Sequence, residues 1–376
     1  MKEKYLFVLV ILIIGTVSLG CIRQKDNAVP NLQENNSTVS NDDNNTNNNA
    51  DNNINFSSEE NIQNPLGVFY YPWTGGNPEK SPDKKDTWLH WKDDNHKPPN
   101  TWASNYIPDY GNSSDPYNGL YASTDTNIIK QQLGLMKKAG INFVISSWWG
   151  QNHMSNKVLD IIFNQVLPAK DNPYPNIKFA IYYEKEGFAD VSKEEIISDI
   201  NYIKKKYANS PYYYRINGRP VVFVYNTKSG LFAETFEQEI EKWKEVRDET
   251  GIYTVLKISG GYKNVESYAD SWHEYAPATN FKKTGNYSAF ISPGFAKWHE
   301  SPRLERENFT RFENDVIVLK NANVQFKLIE TWNEWGEGTG IEPAVRINHD
   351  DVNGFTVAAD SYGTKYIDIL GKHFAN

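Results

Sequence analysis

The sequence predicts a single (β/α)8 TIM barrel, an α/β fold in which eight strands alternate with helices. Short apolar runs recur between residues 67 and 329, helical patterns separate most of them, and aromatic or carboxylate residues follow several runs. An open, doubly wound sheet is the alternative, but it usually carries a glycine-rich phosphate loop after its first strand. Here Tyr71-Pro-Trp73-Thr-Gly-Gly and a long insertion stand in that place, which favours the barrel.

The predicted strands are short and apolar, and each is followed by a polar or turn-forming segment. In chain order they cover residues 67–71, 141–146, 177–183, 219–225, 253–258, 270–275, 287–291 and 325–329. The strand at 270–275 has the weakest pattern of the eight.

Helical periodicity separates these strands at five places, and two of the helices have recognisable ends. Asp125 can cap the first helix and Gly140 can stop it. Ser192 and Glu195 form a capping box that opens the third, whose apolar face carries Ile196, Ile200 and Ile203. The other helical patterns cover about residues 155–166, 232–249 and 308–321.

The N-terminus has the pattern of an export signal. Lys2 and Lys4 precede an apolar run from Tyr5 to Leu19, which ends in Gly20-Cys21. This end resembles a lipoprotein processing site, with Cys21 as the lipidated residue. An uncleaved membrane anchor is the alternative, because about 18 apolar residues nearly span a bilayer. Both interpretations place residues 1–21 at the membrane and the rest of the protein outside the cytoplasm.

Residues 22–62 are rich in asparagine and aspartate and poor in apolar residues. Such a segment cannot bury enough surface to fold, so we expect a disordered tether. The barrel would then occupy residues 63–376. Cys21 is the only cysteine in the sequence, so the barrel has no disulfide and depends on its core for stability.

Composition excludes several classes of function. The chain has 39 Lys and Arg against 47 Asp and Glu, and this net charge of −8 argues against nucleic acid as a partner. The sequence contains no HExxH pair, P-loop or GxSxG motif. We therefore expect no metal and no cofactor, and we expect a monomer. Aromatic residues make up 14% of the chain, which suits either a large core or rings that stack on a ligand.

Aromatic and carboxylate residues cluster after the predicted strands. Barrel enzymes place their chemistry at the C-terminal ends of the strands, so these residues are expected to meet at one mouth. Sugar rings have apolar C–H faces that stack on aromatic planes, which makes the mouth suitable for a glycan. The expected substrate-binding residues at the strand ends are Tyr71, Trp73, Trp148, Trp149, Glu184, Tyr225, Trp332 and Asn333.

Two glutamates follow the last strand, in the stretch WNEWGEGTGIE at residues 332–342. A glycosidase needs one acid near the leaving oxygen and a second carboxylate near the reacting carbon. Glu334 and Glu337 are the candidates, and Trp332 and Trp335 beside them can supply the apolar setting that raises a pKa. The surrounding glycines favour a tight loop over a helix. Trp335 and Glu342 are further predicted substrate contacts.

The motifs resemble glycoside hydrolase family 99, the endo-α-1,2-mannosidase and endomannanase family. The family form NEWHEGTQIE is similar to residues 333–342. The other matching stretches are Tyr70-Tyr-Pro-Trp73, Trp88-Leu-His-Trp91, Ser146-Ser-Trp-Trp-Gly150, Tyr183-Glu184, Gly218-Arg-Pro-Val-Val-Phe-Val-Tyr225 and Ser292-Pro-Gly294. They occur in family order and cover roughly residues 66–345.

The resemblance implies a (β/α)8 barrel that cleaves α-mannosidic bonds inside a chain and retains the anomeric configuration. It also implies that Glu334 is the base acting on the substrate's own 2-hydroxyl, giving a 1,2-anhydro sugar, and that Glu337 is the acid/base. By analogy Trp149, Glu184 and Tyr225 line the non-reducing side.

Two residues depart from the family pattern, since Gly336 stands where the family has histidine and Gly340 where it has glutamine. Both would shape the substrate side of the loop and so affect specificity. An α-1,3-glucanase-like hydrolase is the alternative enzyme. A surface glycan-binding barrel without catalysis is the alternative from another class.

Overall fold

In the computed structural model the described residues are 65–76, 87–104, 106–111, 119–187, 191–225, 235–258, 267–297, 300–306, 309–346 and 361–375. The predicted signal and tether, residues 1–62 with Cys21, lie outside these ranges. Within them, no helix has the length and apolar character needed to cross a membrane.

Eight strands in the described part of the chain form a nearly closed barrel in which paired neighbours run parallel. They are β1 (Leu66–Tyr70), β2 (Phe143–Trp148), β3 (Lys178–Tyr183), β4 (Arg219–Val224), β5 (Tyr253–Lys257), β6 (Ser271–His273), β7 (Ser288–Ile291) and β8 (Phe326–Ile329). Each of β2 to β6 pairs with the strand before it, and β1 pairs with β8, which pairs with β7. The order around the barrel therefore follows the chain, and the predicted barrel fold is confirmed.

The seam of the barrel lies between β6 and β7. These two strands have Cα atoms within 8 Å of each other but share no ladder among the described residues. The Ser271 hydroxyl donates to Gln325 Oε1 at 2.8 Å and so ties the start of β6 to the residue before β8. Strand β7 instead pairs on this side with the antiparallel strand Phe281–Thr284.

Six α-helices occur in the described part of the chain. They are α1 (Thr126–Ala139), α2 (Met154–Ile161), α3 (Lys193–Ile203), α4 (Phe236–Thr250), α5 (Phe309–Asn321) and α6 (Lys365–Phe374). The predicted caps are present: the Asp125 side chain accepts from Asn127, Gly140 adopts a left-handed φ of 74°, and Ser192 accepts from Glu195. Helix α4 begins at Phe236, later than the predicted residue 232, because Thr235 and Gln238 form its capping box.

Side chains alternate between two layers along every barrel strand. One layer fills the barrel interior and includes Phe69, Phe143, Ile145, Tyr182, Phe223, Val255, Phe290 and Leu328. The residues between them pack outward in the core shared with the helices, and include Val68, Val144, Ile181, Val222, Leu256, Ile291 and Ile329. Because the period is two, the inner series continues at positions 147 and 257 near the ends of β2 and β5, and at positions 149, 184, 225 and 330 just past strand ends.

A small antiparallel sheet completes the described structure. Its strands are Tyr106–Pro108, Ala344–Arg346 and Ser361–Gly363, with Ala344–Arg346 in the middle. Its middle strand follows directly on the loop after β8, so this sheet anchors the far end of that loop.

Candidate active site

The loop after β8, residues 330–342, closes on itself and is called the β8 loop below. The Thr331 and Thr339 hydroxyls lie 3.0 Å apart, and the Thr331 N–H donates to the Thr339 carbonyl at 3.0 Å. The Ile341 N–H donates back to the Thr331 carbonyl at 3.1 Å. These bonds close the loop at its base, so Glu334 and Glu337 lie on one tight loop, as predicted, and not on a helix.

Glu334 is buried, with 9% of its surface exposed. Its Oε1 accepts the Gly336 N–H at 3.0 Å, and its own N–H donates to Thr331 Oγ1 at 2.9 Å. Burial raises the pKa of Glu334 well above its ordinary value, and the nearby charges of Glu337 and Glu184 raise it further.

Glu337 reaches closer to solvent, with 26% of its side chain exposed. Lys297 Nζ lies 3.5 Å from its Oε1, and the Tyr275 hydroxyl donates to its Oε2 at 3.4 Å. Burial raises the pKa of Glu337, while Lys297 and Tyr275 act in the opposite direction. Because Glu334 and Glu337 repel each other when both are charged, the pair favours a state in which one holds a proton.

Glu184 brings a third carboxyl to the site from the end of β3, and it is buried. The Ser147 hydroxyl donates to its Oε2, and Trp149 Nε1 donates to the same hydroxyl at 2.9 Å. Glu184 is 4% exposed, and burial raises its pKa to about 8. Trp149 and Glu184 are thus joined through Ser147, which the inner-layer alternation of β2 places between them.

Aromatic rings line the same mouth. Trp73 stacks on His90 with ring centroids 4.5 Å apart, and it lies 4.7 Å from Tyr71 and 6.2 Å from Trp149. Trp73 and Trp149 are only partly buried, so both rings offer a face to the cleft. Such a group of flat rings is suited to stacking on the apolar faces of sugar rings.

A second group of rings surrounds Tyr225. Tyr225 meets Tyr182 and Tyr275 edge to face, with centroids 5.8 and 6.0 Å apart. Because Tyr275 also touches Glu337, this group extends to the β8 loop.

Two predicted contact residues, Trp148 and Trp332, are placed in the core instead. Trp148 is fully buried in the layer between barrel and helices, where Nε1 donates to Asn156 Oδ1 at 3.0 Å. The reason is strand alternation: if Trp149 faces inward, Trp148 must face outward. Trp332 is also fully buried in that outer core, and its N–H donates to the Phe69 carbonyl at 2.7 Å.

Asn333 fastens the β8 loop to the end of β1. Its Oδ1 accepts the Tyr71 N–H at 2.8 Å, and its Nδ2 donates to the Tyr71 carbonyl at 3.1 Å and the Tyr121 hydroxyl at 3.1 Å. With all these groups engaged and 1% of its surface exposed, Asn333 supports the site instead of facing the cleft.

Glu342 has a similar supporting position, and it is fully buried. Its carboxylate accepts from Tyr110, from Tyr121 at 2.7 Å, from Gln132 at 3.1 Å and from Trp335 Nε1 at 2.8 Å. Burial raises the pKa of Glu342 to about 7, and these four donors oppose the rise. Glu342 and Trp335 therefore form a bonded pair that holds the end of the β8 loop.

Comparison with known proteins shows which family the chain resembles. The profile of glycosyl hydrolase family 99 matches residues 61–246. Glycoprotein endo-alpha-1,2-mannosidase from Mus musculus is 24% identical over 325 residues, 74% of this chain and 68% of that protein. The corresponding protein from Rattus norvegicus is 24% identical over 328 residues, covering 74% and 67%. The chain belongs to glycoside hydrolase family 99. It is therefore a glycoside hydrolase, as the motifs predicted.

The fold also matches a solved structure of the family. The family 99 endo-alpha-mannosidase from Bacteroides thetaiotaomicron superposes with a TM-score of 0.59 at 21% identity, covering 82% of this chain and 95% of that chain. At this identity the likeness concerns the fold, and it agrees with the eight-stranded barrel described above.

Four polar residues of this family 99 site were not predicted from the sequence. They are Lys257, Tyr275, Lys297 and Glu330. Two of them, Lys257 and Glu330, lie at or just beyond the ends of apolar strands and continue the inner series. A period-two count along β5 and β8 would have found them. No group of three or more histidine, cysteine, aspartate or glutamate side chains in the described part of the chain is arranged to hold a metal ion.

The two glycines that depart from the family pattern have different surroundings. A Cβ at Gly340 would lie 3.3 Å from the Trp332 carbonyl oxygen, so the loop is closely packed there. Arg306 Nη2 donates to the carbonyls of Gly338 and Gly340 at 2.8 and 2.6 Å, which holds this side of the loop. Gly336 is partly exposed next to Glu337, so this position is open on its solvent side.

Proposed function

We propose that the protein is a retaining, endo-acting glycoside hydrolase that cleaves α-mannosidic or closely related α-glycosidic bonds inside a glycan. The observation that carries this is the position of Glu334 and Glu337, two carboxyls with raised pKa values on one loop at the barrel mouth. The rings of Trp73, Trp149 and Tyr225 lie at the same mouth. The relatives' names, endo-alpha-1,2-mannosidase, suggest the type of bond.

The proposed reaction has two steps. In the first, the substrate's 2-hydroxyl gives its proton to Glu334 and attacks C1, forming a 1,2-anhydro sugar. The bond from C1 to the departing sugar breaks, and its oxygen takes the proton of Glu337. In the second step Glu337 removes a proton from water, whose oxygen attacks C1 and opens the anhydro ring, while Glu334 returns the first proton. Two inversions at C1 give retention.

A route without an enzyme nucleophile suits this site. Glu334 and Glu337 share one loop and are poorly placed to flank a sugar from opposite faces, as an acid and a nucleophile do. Glu184 is a further carboxyl of the site, and its Oε2 already accepts the Ser147 hydroxyl. Because Ser147 also links Glu184 to Trp149, one of the rings at the mouth, we assign Glu184 to substrate binding.

The proposed roles predict that variants of Glu334 and Glu337 respond differently when the leaving group of the substrate is changed. Glu337→Gln should lose nearly all activity on an oligosaccharide, because a sugar alkoxide must be protonated to leave. It should keep a measurable first step on an α-mannosyl fluoride, which needs little protonation. General acid catalysis contributes about 10²–10⁴-fold, so the contrast is large. Glu334→Gln should fail on both substrates, because the base is needed whatever group leaves.

The matched control is Glu245→Gln, a change of an exposed glutamate on α4 that should leave both activities unchanged. If the fluoride rescues Glu334→Gln instead, the two roles are exchanged. Wild-type activity in both variants would reject the hydrolytic role of the β8 loop. A covalent sugar on Glu184, detected by mass spectrometry, would reject the anhydro-sugar route.

The α-1,3-glucanase-like alternative is tested because Gly336 replaces the family's histidine at a partly exposed position that would shape the substrate side of the loop. A panel of α-mannan and α-glucan oligosaccharides, with product masses measured, decides between the two specificities. A wild-type chain that binds these glycans but releases no product would support the non-catalytic binding barrel.

We further propose that the enzyme is exported and held at the membrane by a lipid on Cys21. The support is the sequence of residues 1–21, a charged start and an apolar run that ends in Gly20-Cys21. Cys21→Ser should block processing or release the protein from the membrane fraction. Mass spectrometry that finds residues 1–20 intact on the mature wild-type chain would favour the transmembrane anchor instead.

A further inference from the structure

Lys257 brings a cation to the barrel mouth. It is the last residue of β5, and Tyr253 and Val255 before it belong to the inner layer of the barrel. Its Nζ lies 3.9 Å from the centroid of the Tyr225 ring, close enough for a cation–π contact. Tyr225 is one of the rings at the barrel mouth, so the ammonium group lies at this mouth as well.

The surroundings of Lys257 are acidic and aromatic. Burial lowers the pKa of Lys257 to about 8, and the charges of Glu330, Glu337, Glu184 and Glu274 act in the opposite direction. The charged groups near it are Glu184 after β3, Glu274 after β6, and Glu330 and Glu337 of the β8 loop. The other titratable groups around it are Tyr225 beneath its ammonium, Tyr182 and Tyr275 against that ring, and His273 of β6. Burial lowers the pKa of His273 to about 3, so this histidine is neutral.

Glu330 is a buried carboxyl at the barrel mouth whose charged form a nearby cation would stabilise. It is fully buried at the end of β8, and its Oε2 accepts the Ala276 N–H at 3.0 Å. Its Oε1 has no hydrogen-bond partner among the described residues. A buried carboxyl with one unbonded oxygen is costly when charged, unless a cation is near.

A second lysine, Lys297, contacts Glu337 directly, but its surroundings differ from those of Lys257. The Lys297 side chain is 32% exposed at the rim of the cleft, so water and salt screen its charge. The partly buried Lys257 has its ammonium over the Tyr225 ring instead, and a charge held against an aromatic ring acts more strongly than one surrounded by water.

We propose that Lys257 is a positioning residue for the reaction, whose ammonium, seated on the Tyr225 ring, is the internal counter-charge of the cluster formed by Glu184, Glu330 and Glu337. This inference rests on the proposed role of Glu337 as acid and then base. Glu337 must release its proton in the first step and take one from water in the second. A nearby positive charge makes that release easier, so Lys257 sets the pH range in which Glu337 can do both.

The test compares the pH profiles of kcat/KM for the wild type, Lys257→Met and Lys257→Arg. Loss of the positive charge should raise the pKa of Glu337 and move the alkaline limb of the profile upward by about one pH unit. Lys257→Arg keeps the charge and should keep the limb in place. Lys283→Met, which removes an exposed lysine on the strand Phe281–Thr284, is the control and should match the wild type.

A role in packing alone predicts a different result. If Lys257→Met lowers kcat/KM at every pH without moving the limb, the counter-charge proposal is wrong. Lys257→Gln repeats the test with a polar side chain in case the methionine variant does not fold, which circular dichroism will show.

A measurement without substrate separates this inference from the proposed function. In protein labelled with ¹³C at the glutamate carboxyls, the Glu337 signal is assigned by its loss in Glu337→Gln, and its titration midpoint is followed by NMR. Lys257→Met should raise that midpoint by about one unit. An unchanged midpoint in an active wild-type enzyme overturns the inference. A raised midpoint in a protein that cleaves no α-glycan supports the counter-charge and rejects the hydrolase function.

Discussion

Adjacent residues at the barrel mouth differ in what they do, because strand alternation sends them to opposite layers. Trp148 is buried against Asn156 on the helix side, while Trp149 faces the cleft and donates to Ser147. The same rule separates Tyr183, which contacts Trp243 in the outer layer, from Glu184 in the site. A count of aromatic residues at strand ends therefore overstates the number of possible sugar contacts.

This alternation predicts opposite effects for two neighbouring substitutions. Trp149→Ala should lower kcat/KM by at least about tenfold, or about 1.4 kcal/mol, and leave the free energy of unfolding nearly unchanged. Trp148→Ala should lower the free energy of unfolding by about 3–5 kcal/mol, because it empties a fully buried site. Urea denaturation and steady-state kinetics on the same preparations measure both.

The two variants serve as controls for each other. If Trp148→Ala retains its stability but loses substrate affinity, the layer assignment is wrong. An equal loss of stability in both variants would mean that the Trp149 ring is part of the core.

The sequence could predict the chemical type of most site residues but not the direction of each side chain. Glu334 and Glu337 were identifiable because glycines and tryptophans surround them in one motif. Glu342 stands in the same motif, yet its four hydrogen bonds come from residues as distant as Tyr110 and Gln132. Lys257 and Glu330 were missed because each ends or follows an apolar run and reads as part of a strand.

The β8 loop is the element that carries the proposed chemistry, and a buried arginine holds it. Arg306 is 1% exposed and donates to the carbonyls of Gly338 and Gly340. Its guanidinium lies 4.8–5.2 Å from the ring centroids of Tyr106, Tyr362 and Tyr366. The arginine thus links the loop to the small sheet and to α6.

Removing this link should reduce catalysis more than substrate binding. Arg306→Met leaves two buried carbonyls without their charged donor, and each such bond contributes about 1.5–3 kcal/mol. We expect kcat to fall at least about tenfold with a small change in KM, because Glu337 directly precedes Gly338. Arg306→Lys should recover part of kcat. Steady-state kinetics, with the melting temperature of each variant, test this.

Tyr362→Phe is the matched control for the arginine. It keeps a ring beside the guanidinium and removes only the 3.3 Å bond from the Tyr362 hydroxyl to the Gly340 carbonyl. Near wild-type kcat is expected for it. A wild-type kcat in Arg306→Met would show that the closed base of the loop is sufficient to hold Glu334 and Glu337.

At the scale of elements, the sequence predicted the local strands and helices better than the pairing of distant segments. The strand ranges agree to within a few residues, because apolar runs and turn residues mark their ends. The small sheet was not predicted, since its strands Tyr106–Pro108 and Ala344–Arg346 are short and more than 200 residues apart in the chain. Helix α6 lies beyond the last recognised motif and packs on α1 and α5.

For the whole molecule, β1 occupies a central position despite its place near the start of the described chain. Leu66 pairs with Lys327 of β8, and Tyr70 pairs with Ser146 of β2, so β1 joins the first and last parts of the barrel. Leu66, Val68 and Phe69 are fully buried. The boundary between dispensable and essential sequence is therefore expected to lie just before residue 65.

This position predicts the outcome of two truncations. A chain of residues 63–376 should fold with the melting temperature and activity of the full-length protein, because residues 22–62 have little apolar sequence to contribute to a core. A chain of residues 72–376 lacks β1, leaves β2 and β8 with unpaired edges, and should be insoluble or unfolded. Circular dichroism melting and glycan cleavage distinguish the two. An unfolded or inactive 63–376 chain would place part of the fold in the Asn-rich segment, and a folded 72–376 chain would contradict the role of β1 in closing the barrel.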